Sequence, residues 1–389
     1  METMTPRERM ITAMKNQQPD RVPVAPDISN MIPARLTGKP FFDIYVHSDP
    51  PLWKAYIDAV KYFGIDGWFI YGDMQFKSPG ATFTMEANAP RQRIAYSHKT
   101  DERWIIGYEG VLGGHPYSYE VTYYIADSPT VTVKPLKDLE RDWELVKQWY
   151  AEPVGYDPSL LREQRRSLGE LGAFGVQICY PGLQFWVGAD FDGGLAPLTY
   201  AYYDKHDLIL ELRELHERRA IKEMEMVLDE RPDFVLLGGS GTITLQSPAI
   251  ARELSLPTIK KLTRMAREAG VPTMLHSCGK ERALVEMCAE ETDLNCINPL
   301  EPPPTGDCDL AEIKQKYGHK LALMGNIHTI TVMLMGTPED VARACREAID
   351  AAGKGGGFIL STGDQCGRDT PDENIRAMVE TAKTYGQYG

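Results

Sequence analysis

Short apolar runs alternate with longer amphipathic stretches along most of this chain. The runs are Val22–Pro26, Trp68–Asp73, Ala173–Tyr180, Asp233–Gly238, Val271–Cys278, Leu294–Asn298, Leu321–Asn326 and Gly357–Ser361. Each is short enough for a buried strand, and stretches with helical spacing follow from one run to the next, as at 206–228, 256–268, 280–289, 310–317, 338–351 and 371–385. Eight such strands alternating with helices predict a closed (β/α)8 TIM barrel over an open doubly wound sheet. No glycine-rich dinucleotide fingerprint follows the first strand, which also disfavours the open sheet.

Two regions depart from this rhythm. Thr5-Pro6-Arg7-Glu8 opens a first helix with an N-cap threonine, a proline at the first helical position and a glutamate three residues on. That helix reads as polar enough to lie on the surface. Between Lys77 and Lys134, Gly, Pro, Thr and Tyr are dense, and 103–107, 117–125 and 130–133 read as short β-segments. We read a β-hairpin insertion carried on the barrel after an early strand, within one domain spanning 1–389. Its aromatic residues (Tyr96, Trp104, Tyr108, Tyr117, Tyr119, Tyr123, Tyr124) suit the hairpins' own small core or a subunit contact better than a ligand pocket. Helices over about 51–63 and 138–150 flank it.

Composition narrows the function. A formal net charge of -13 is the wrong sign for a nucleic-acid surface and disfavours a polyanionic substrate. The chain opens without a signal-like segment, and no run approaches the roughly 20 apolar residues of a membrane span, so the expected location is cytoplasmic. Seven scattered cysteines do not make a disulfide framework. Cys179, Cys288, Cys296, Cys308 and Cys345 read as packing residues. His98, His115, His206, His216 and His319 read mostly as solvated.

The remaining chemistry gathers where a barrel's strands end. In a strand over 271–278, His276 and Cys278 point to the same side. The barrel mouth adds Asp73, Tyr180, Ser240, Glu301, Asn326, His328, Asp364 and Cys366. His276, Cys278 and Cys366 together form a nitrogen and sulfur donor set suited to zinc, with a fourth position open as in catalytic sites. The alternative is a hydrogen-bonded barrel histidine with inert buried thiols. Asp73 suits an acid, a base or an N-cap, and His328 follows Gly325-Asn326-Ile327 at the mouth.

His276-Ser277-Cys278-Gly279, Asn298-Pro299-Leu300-Glu301-Pro302-Pro303, Gly325-Asn326-Ile327 and Thr370-Pro371-Asp372-Glu373-Asn374 together resemble the uroporphyrinogen decarboxylase superfamily. They are most similar to its zinc-dependent, corrinoid-linked methyltransferase branch, which includes the coenzyme M methyltransferases. The resemblance runs from about Asp20 to the end apart from the hairpin region, and is strongest from Pro232 onward. The decarboxylase fits less well: its arginine-bearing segment near the N-terminus is replaced here by Val22-Pro23-Val24-Ala25-Pro26-Asp27-Ile28-Ser29.

The resemblance implies zinc on His276, Cys278 and Cys366, and a corrinoid carried by a partner protein, since no corrinoid-binding module is recognisable here. It implies methyl transfer from a small methylated donor (ether, amine or thioether) to cobalt. Transfer from methyl-corrinoid to a thiol, a decarboxylase-like activity, and a non-catalytic barrel binding a tetrapyrrole or partner stay open as alternatives. In the first of these readings Glu301, His328 and Asp73 are the catalytic candidates, and Tyr180, Ser240 and Asn326 line the substrate pocket. The hairpin region, and His328 where superfamily members often have aspartate, leave the substrate open, as is assembly into a homodimer.

Overall fold

In a computed structural model, which describes residues 2–82, 92–95, 102–124 and 126–388, the apolar runs form one curled parallel sheet. Its strands are β1 (Gly67–Phe69), β2 (Gly172–Ile178), β3 (Phe234–Gly238), β4 (Thr273–His276), β5 (Cys296–Asn298), β6 (Ala322–Ile327) and β7 (Phe358–Thr362), hydrogen-bonded in that order. The eighth run closes the ring. Ala25 N–H donates to Leu360 O and Leu360 N–H to Pro23 O, both at 2.9 Å, while Asp66 N–H donates to Val24 O at 2.8 Å. Residues 22–25 therefore sit between β7 and β1. Pro23 and Pro26 have no N–H to give a ladder, which explains why this run makes isolated bridges where the others make regular strands.

Alternation along the strands divides the barrel interior into two levels. Trp68, Ala173, Phe234, Leu236, Met274, Cys296, Ala322, Met324 and Ile359 pack together as a floor. Gly175 belongs to this face because a side chain there would strike the Phe234 ring at 2.4 Å. Two residues further along their strands, the same face carries Gln177, Gly238, His276, Asn298, Asn326 and Ser361. The interior thus changes from apolar to polar at one height.

The first helix, Pro6–Met14, begins with the capping box read from Thr5 and Glu8, but it does not lie on the surface. Met10, Ala13 and Met14 are fully buried against the floor, with the spacing of one helical face. Arg9, on the same helix, is also fully buried, and its charge is met by Asp20 (2.7 and 2.9 Å) and Asp66 (2.6 Å). Those partners lie 11 and 57 residues away, so the helix alone looks too polar to bury. Asp66 also accepts from Arg21 at 2.7 Å and from Val24 N–H at 2.9 Å.

The insertion is a sheet of antiparallel strands. Glu102–Leu112 and His115–Tyr124 form one long hairpin turning at Gly113 and Gly114, whose φ values of 57° and 85° suit a tight primed turn. The first segment therefore runs on to Leu112, past the end expected at Gly107. Thr130–Val133 pairs with the hairpin as expected. Tyr108 stacks on Tyr119 at 4.8 Å, and Tyr117 meets Trp149 edge-on at 5.4 Å. Tyr96, His98 and Ile125 lie outside the described residues. The flanking helix starts at Trp143, not Asp138, because the Asp138 and Asp142 carboxylates take the N–H groups of Lys137, Asp138, Glu140 and Arg141 in a turn. No helix among the described residues is long and apolar enough to cross a membrane.

Removing Asp66 would leave two buried guanidinium groups without their shared partner. Asp66→Ala is expected to destabilise the fold by about 3–5 kcal/mol, read as a lowered midpoint in urea unfolding. A loss below about 1 kcal/mol would show that Arg9 and Arg21 are neutralised elsewhere.

Candidate metal centre

β4 ends at His276, directly above Met274 of the apolar floor. Gly238 is its register partner on β3, and a Cβ there would meet the His276 carbonyl oxygen at 2.4 Å. The close approach of the two strand ends thus needs glycine. On the other side His276 is paired with Asn298 of β5, and His276 Nδ1 lies 2.6 Å from Asn298 Oδ1. An amide oxygen only accepts, so the ring proton is on Nδ1 and Nε2 keeps its lone pair. Asn298 Nδ2 in turn donates to Met324 O at 3.4 Å, which fixes the amide.

The chain then turns sharply. Ser277 N–H donates to Asn298 O at 2.9 Å, and Ser277 Oγ accepts from Thr242 N–H at 3.1 Å. Gly279 has φ 83°, where a Cβ would strike Thr244 Oγ1 at 2.4 Å, and its N–H donates to Glu301 Oε1 at 2.5 Å. This holds Cys278 beside His276. From the loop after β7 comes Asp364, and the donor atoms of His276, Cys278 and Asp364 lie within 4.8 Å of one another.

The three groups share a half-buried recess, and the titration of Cys278 and Asp364 reflects it. Burial pushes the Cys278 thiol up to about 11, the Asp364 carboxylate adds to this, and the Ser240 hydroxyl offsets part of it. Burial likewise raises Asp364, with His276 opposing. Behind them Glu281 is fully buried, and burial holds its carboxyl well above the usual range although Leu300 N–H donates to it at 2.8 Å. The other acids acting on Cys278 and Asp364 are Glu301, on the thiol, and Asp27, on the carboxyl. Donors that resist their anionic forms here are the kind a divalent cation discharges on binding. One nitrogen, one sulfur and one carboxylate with an oriented imidazole fit zinc.

The other expected residues divide into three groups. Glu301 is buried against the turn through Gly279, Ser240 stands exposed beside the Cys278 thiol, and Asn326 is half-buried with Nδ2 donating to Leu300 O at 3.1 Å. Tyr180 is fully buried behind the turn, its hydroxyl 2.7 Å from Thr242 Oγ1, so it supports Ser277 through Thr242. Asp73, His328 and Cys366 stand apart from the cluster. Asp73 is exposed, and its Oδ1 accepts Gln75 N–H at 2.8 Å in a local turn.

His328 Nδ1 caps the turn Thr329–Leu334 by accepting from Ile330 and Thr331 N–H at 3.1 and 3.2 Å. Cys366 is fully buried, its N–H donating to Asp27 O at 2.8 Å, with its thiol near the Thr362 and Thr370 hydroxyls and outside the 4.8 Å group. His216, expected to be solvated, is buried with its Nδ1 accepting from Trp186 Nε1–H at 3.1 Å.

The pairing of Asn298 with His276 and the approach of Asp364 to within reach of His276 and Cys278 escape the sequence reading. Nothing in the order of residues states that position 298 pairs with 276, because strand register comes from the closed ring. Asp364 falls at the mouth, but no local pattern sets it above Cys366 as the nearer donor.

The Cys278 environment gives a direct test. In chelator-treated protein, alkylation of Cys278 by iodoacetamide, followed by peptide mass spectrometry, should keep accelerating from pH 8 to 10 without a plateau. Asp364→Asn removes the adjacent negative charge, lowers the thiol's pKa and should speed the reaction several-fold at pH 8. A plateau below pH 9 in the unsubstituted protein would contradict the raised value.

Residues 220–385 match the family model of uroporphyrinogen decarboxylase (URO-D). The chain is 30% identical over 158 residues to the methylcobamide:CoM methyltransferase MtbA of Methanosarcina mazei, covering 38% of this chain and 43% of that protein. It is 30% identical over 144 residues to a methylated-thiol–coenzyme M methyltransferase of the same organism, covering 37% of this chain and 35% of that protein. A uroporphyrinogen decarboxylase of Magnetococcus marinus is 26% identical over 184 residues, covering 43% of this chain and 50% of that protein. The aligned part is thus no more than half the length of any of these three relatives. Among solved structures, a methyltransferase from Methanosarcina mazei superposes with a TM-score of 0.65 at 16% identity, over 98% of this chain and 99% of that one, which supports the barrel fold.

Proposed function

We propose that this chain, whose residues 220–385 match the URO-D family model, is a zinc-dependent methyltransferase that moves a methyl group from a small methylated donor to the cobalt of a corrinoid protein. The observation that carries the reading is the convergence of His276, Cys278 and Asp364 within 4.8 Å at the barrel mouth, with the imidazole held by Asn298. The named activities of the two Methanosarcina relatives support the reaction class. The net charge of -13, with Glu301 and Asp27 beside the cluster, makes a substrate with several carboxylates a poor occupant.

His276 and Cys278 would hold the zinc. The third donor comes from the loop after β7, either the Asp364 carboxylate already in reach or the Cys366 thiol that the family resemblance assigns. When bound, the ion supplies Lewis acidity that draws electron density from the donor's ether, amine or thioether atom and leaves the methyl carbon open to attack. Asn298 fixes the imidazole tautomer. Glu301, which accepts the Gly279 N–H beside Cys278, would pass a proton to the departing heteroatom. Ser240 and Asn326 shape the recess, and Tyr180 stiffens its wall.

Zinc content and cobalt chemistry together test this. His276→Ala and Cys278→Ser should lose zinc, and Asn298→Ala should weaken its affinity about 10–100-fold while the fold is kept. Because thiolate is the softer ligand, Cys366→Ser is expected to lose zinc and Asp364→Asn to retain it. The opposite result assigns the third position to Asp364. Mixed with reduced corrinoid protein and a panel of methyl donors, the zinc-loaded enzyme should convert the reduced-cobalt absorbance to that of methyl-cobalt, and His276→Ala should not. Full zinc retention in both the His276 and Cys278 variants would sink the assignment.

A further inference from the structure

Gln177 lies on the inward face of β2, two residues beyond Gly175 of the apolar floor and in register with Leu236 of β3. At the end of a packed barrel strand it is nevertheless exposed, as the mouth is open in front of it. Its amide is not free to turn. Nε2 donates to Gly238 O at 3.1 Å, and since a carbonyl accepts only hydrogen, the amide nitrogen must face that way. Oε1 is thereby aimed away from the wall, with no partner among the described residues. Gly238, which anchors the amide, is the register partner of His276.

Between the two, Gly238 carries no side chain, and Ile70, half-buried at the same parity on the chain beyond β1, adds an apolar residue on the far side of β2. β2 and β4 are two strand spacings apart, roughly 10 Å, which is the span of a small molecule. One end of such a molecule would meet a fixed hydrogen-bond acceptor and the other the His276–Cys278–Asp364 cluster.

We infer that Gln177 is a specificity-determining residue, and that the molecule bound between it and the cluster is a neutral or cationic donor carrying an O–H or N–H group for Gln177 Oε1. This rests on the methyl-donor reading of the site and names the class of donor. A molecule with a carboxylate or sulfonate at that end would face an acceptor where it needs a hydrogen-bond donor. A ligand that covers this acceptor without giving it a hydrogen, or sets an anion against it, binds less well than one that donates to it.

Three methyl ethers of nearly equal size test the inference: 2-methoxyethylamine, 2-methoxyethanol and methoxyacetate. Each is titrated calorimetrically into the full chain loaded with zinc and into the chelator-treated chain, without corrinoid. The amine and alcohol should bind, with methoxyacetate at least tenfold weaker. Gln177→Leu should weaken the amine and alcohol at least fivefold with an unchanged circular dichroism spectrum, and Gln177→Arg should turn the preference towards methoxyacetate. Equal or tighter binding of methoxyacetate to the unsubstituted protein, no binding of the amine or alcohol, or unchanged affinities in Gln177→Leu would each overturn it. Because binding is read without cobalt, a failure of methyl transfer in the corrinoid assay is a separate result.

Discussion

The barrel depends on one buried carboxylate. Seven strands can form an open sheet, and the eighth run, weakened by two prolines, must be fixed between its edges. Asp66 does this by accepting the Val24 N–H while drawing in Arg9 from the first helix and Arg21 from the incoming strand. A buried ion network costs desolvation, and its return is geometric: it holds helix, closing strand and β1 in one arrangement. The floor packing of Met10, Ala13 and Met14 exists only because Arg9 can be buried.

On this closed frame the interior is apolar below and polar above, and the candidate metal centre sits at the change. Met274 and His276 differ by one step of the strand alternation, yet the first packs in the floor and the second faces the recess. The imidazole is held from below by the floor, from one side by Asn298 and from the other by a neighbour that must be glycine. Such support determines the tautomer before any ligand arrives, which is the condition for a site that binds quickly without rearrangement.

Much of the fold was legible because alternation and length are local signals. The eight runs and the capping box at Thr5 could be read from neighbouring residues, whereas His276 and Cys278, expected on one face of a strand over 271–278, come together through the turn at Ser277 that follows a strand ending at His276. The burial of the first helix could not, since the partners of Arg9 are separated from it in sequence. Nor could the role of Asn298, which follows from register, or the local uses of Asp73 and His328, whose side chains are taken up by turn and capping hydrogen bonds. The long hairpin was read as shorter because Gly113 and Gly114 set its turn beyond the residues that looked loop-like.

The sealed floor also limits traffic. With the first helix plugged beneath the barrel, whatever reaches His276 arrives through the strand ends and leaves by the same way. If two reactants meet at the cluster, as the proposed methyl transfer requires, the one lying deeper would be covered by the one that follows, and first in would be last out.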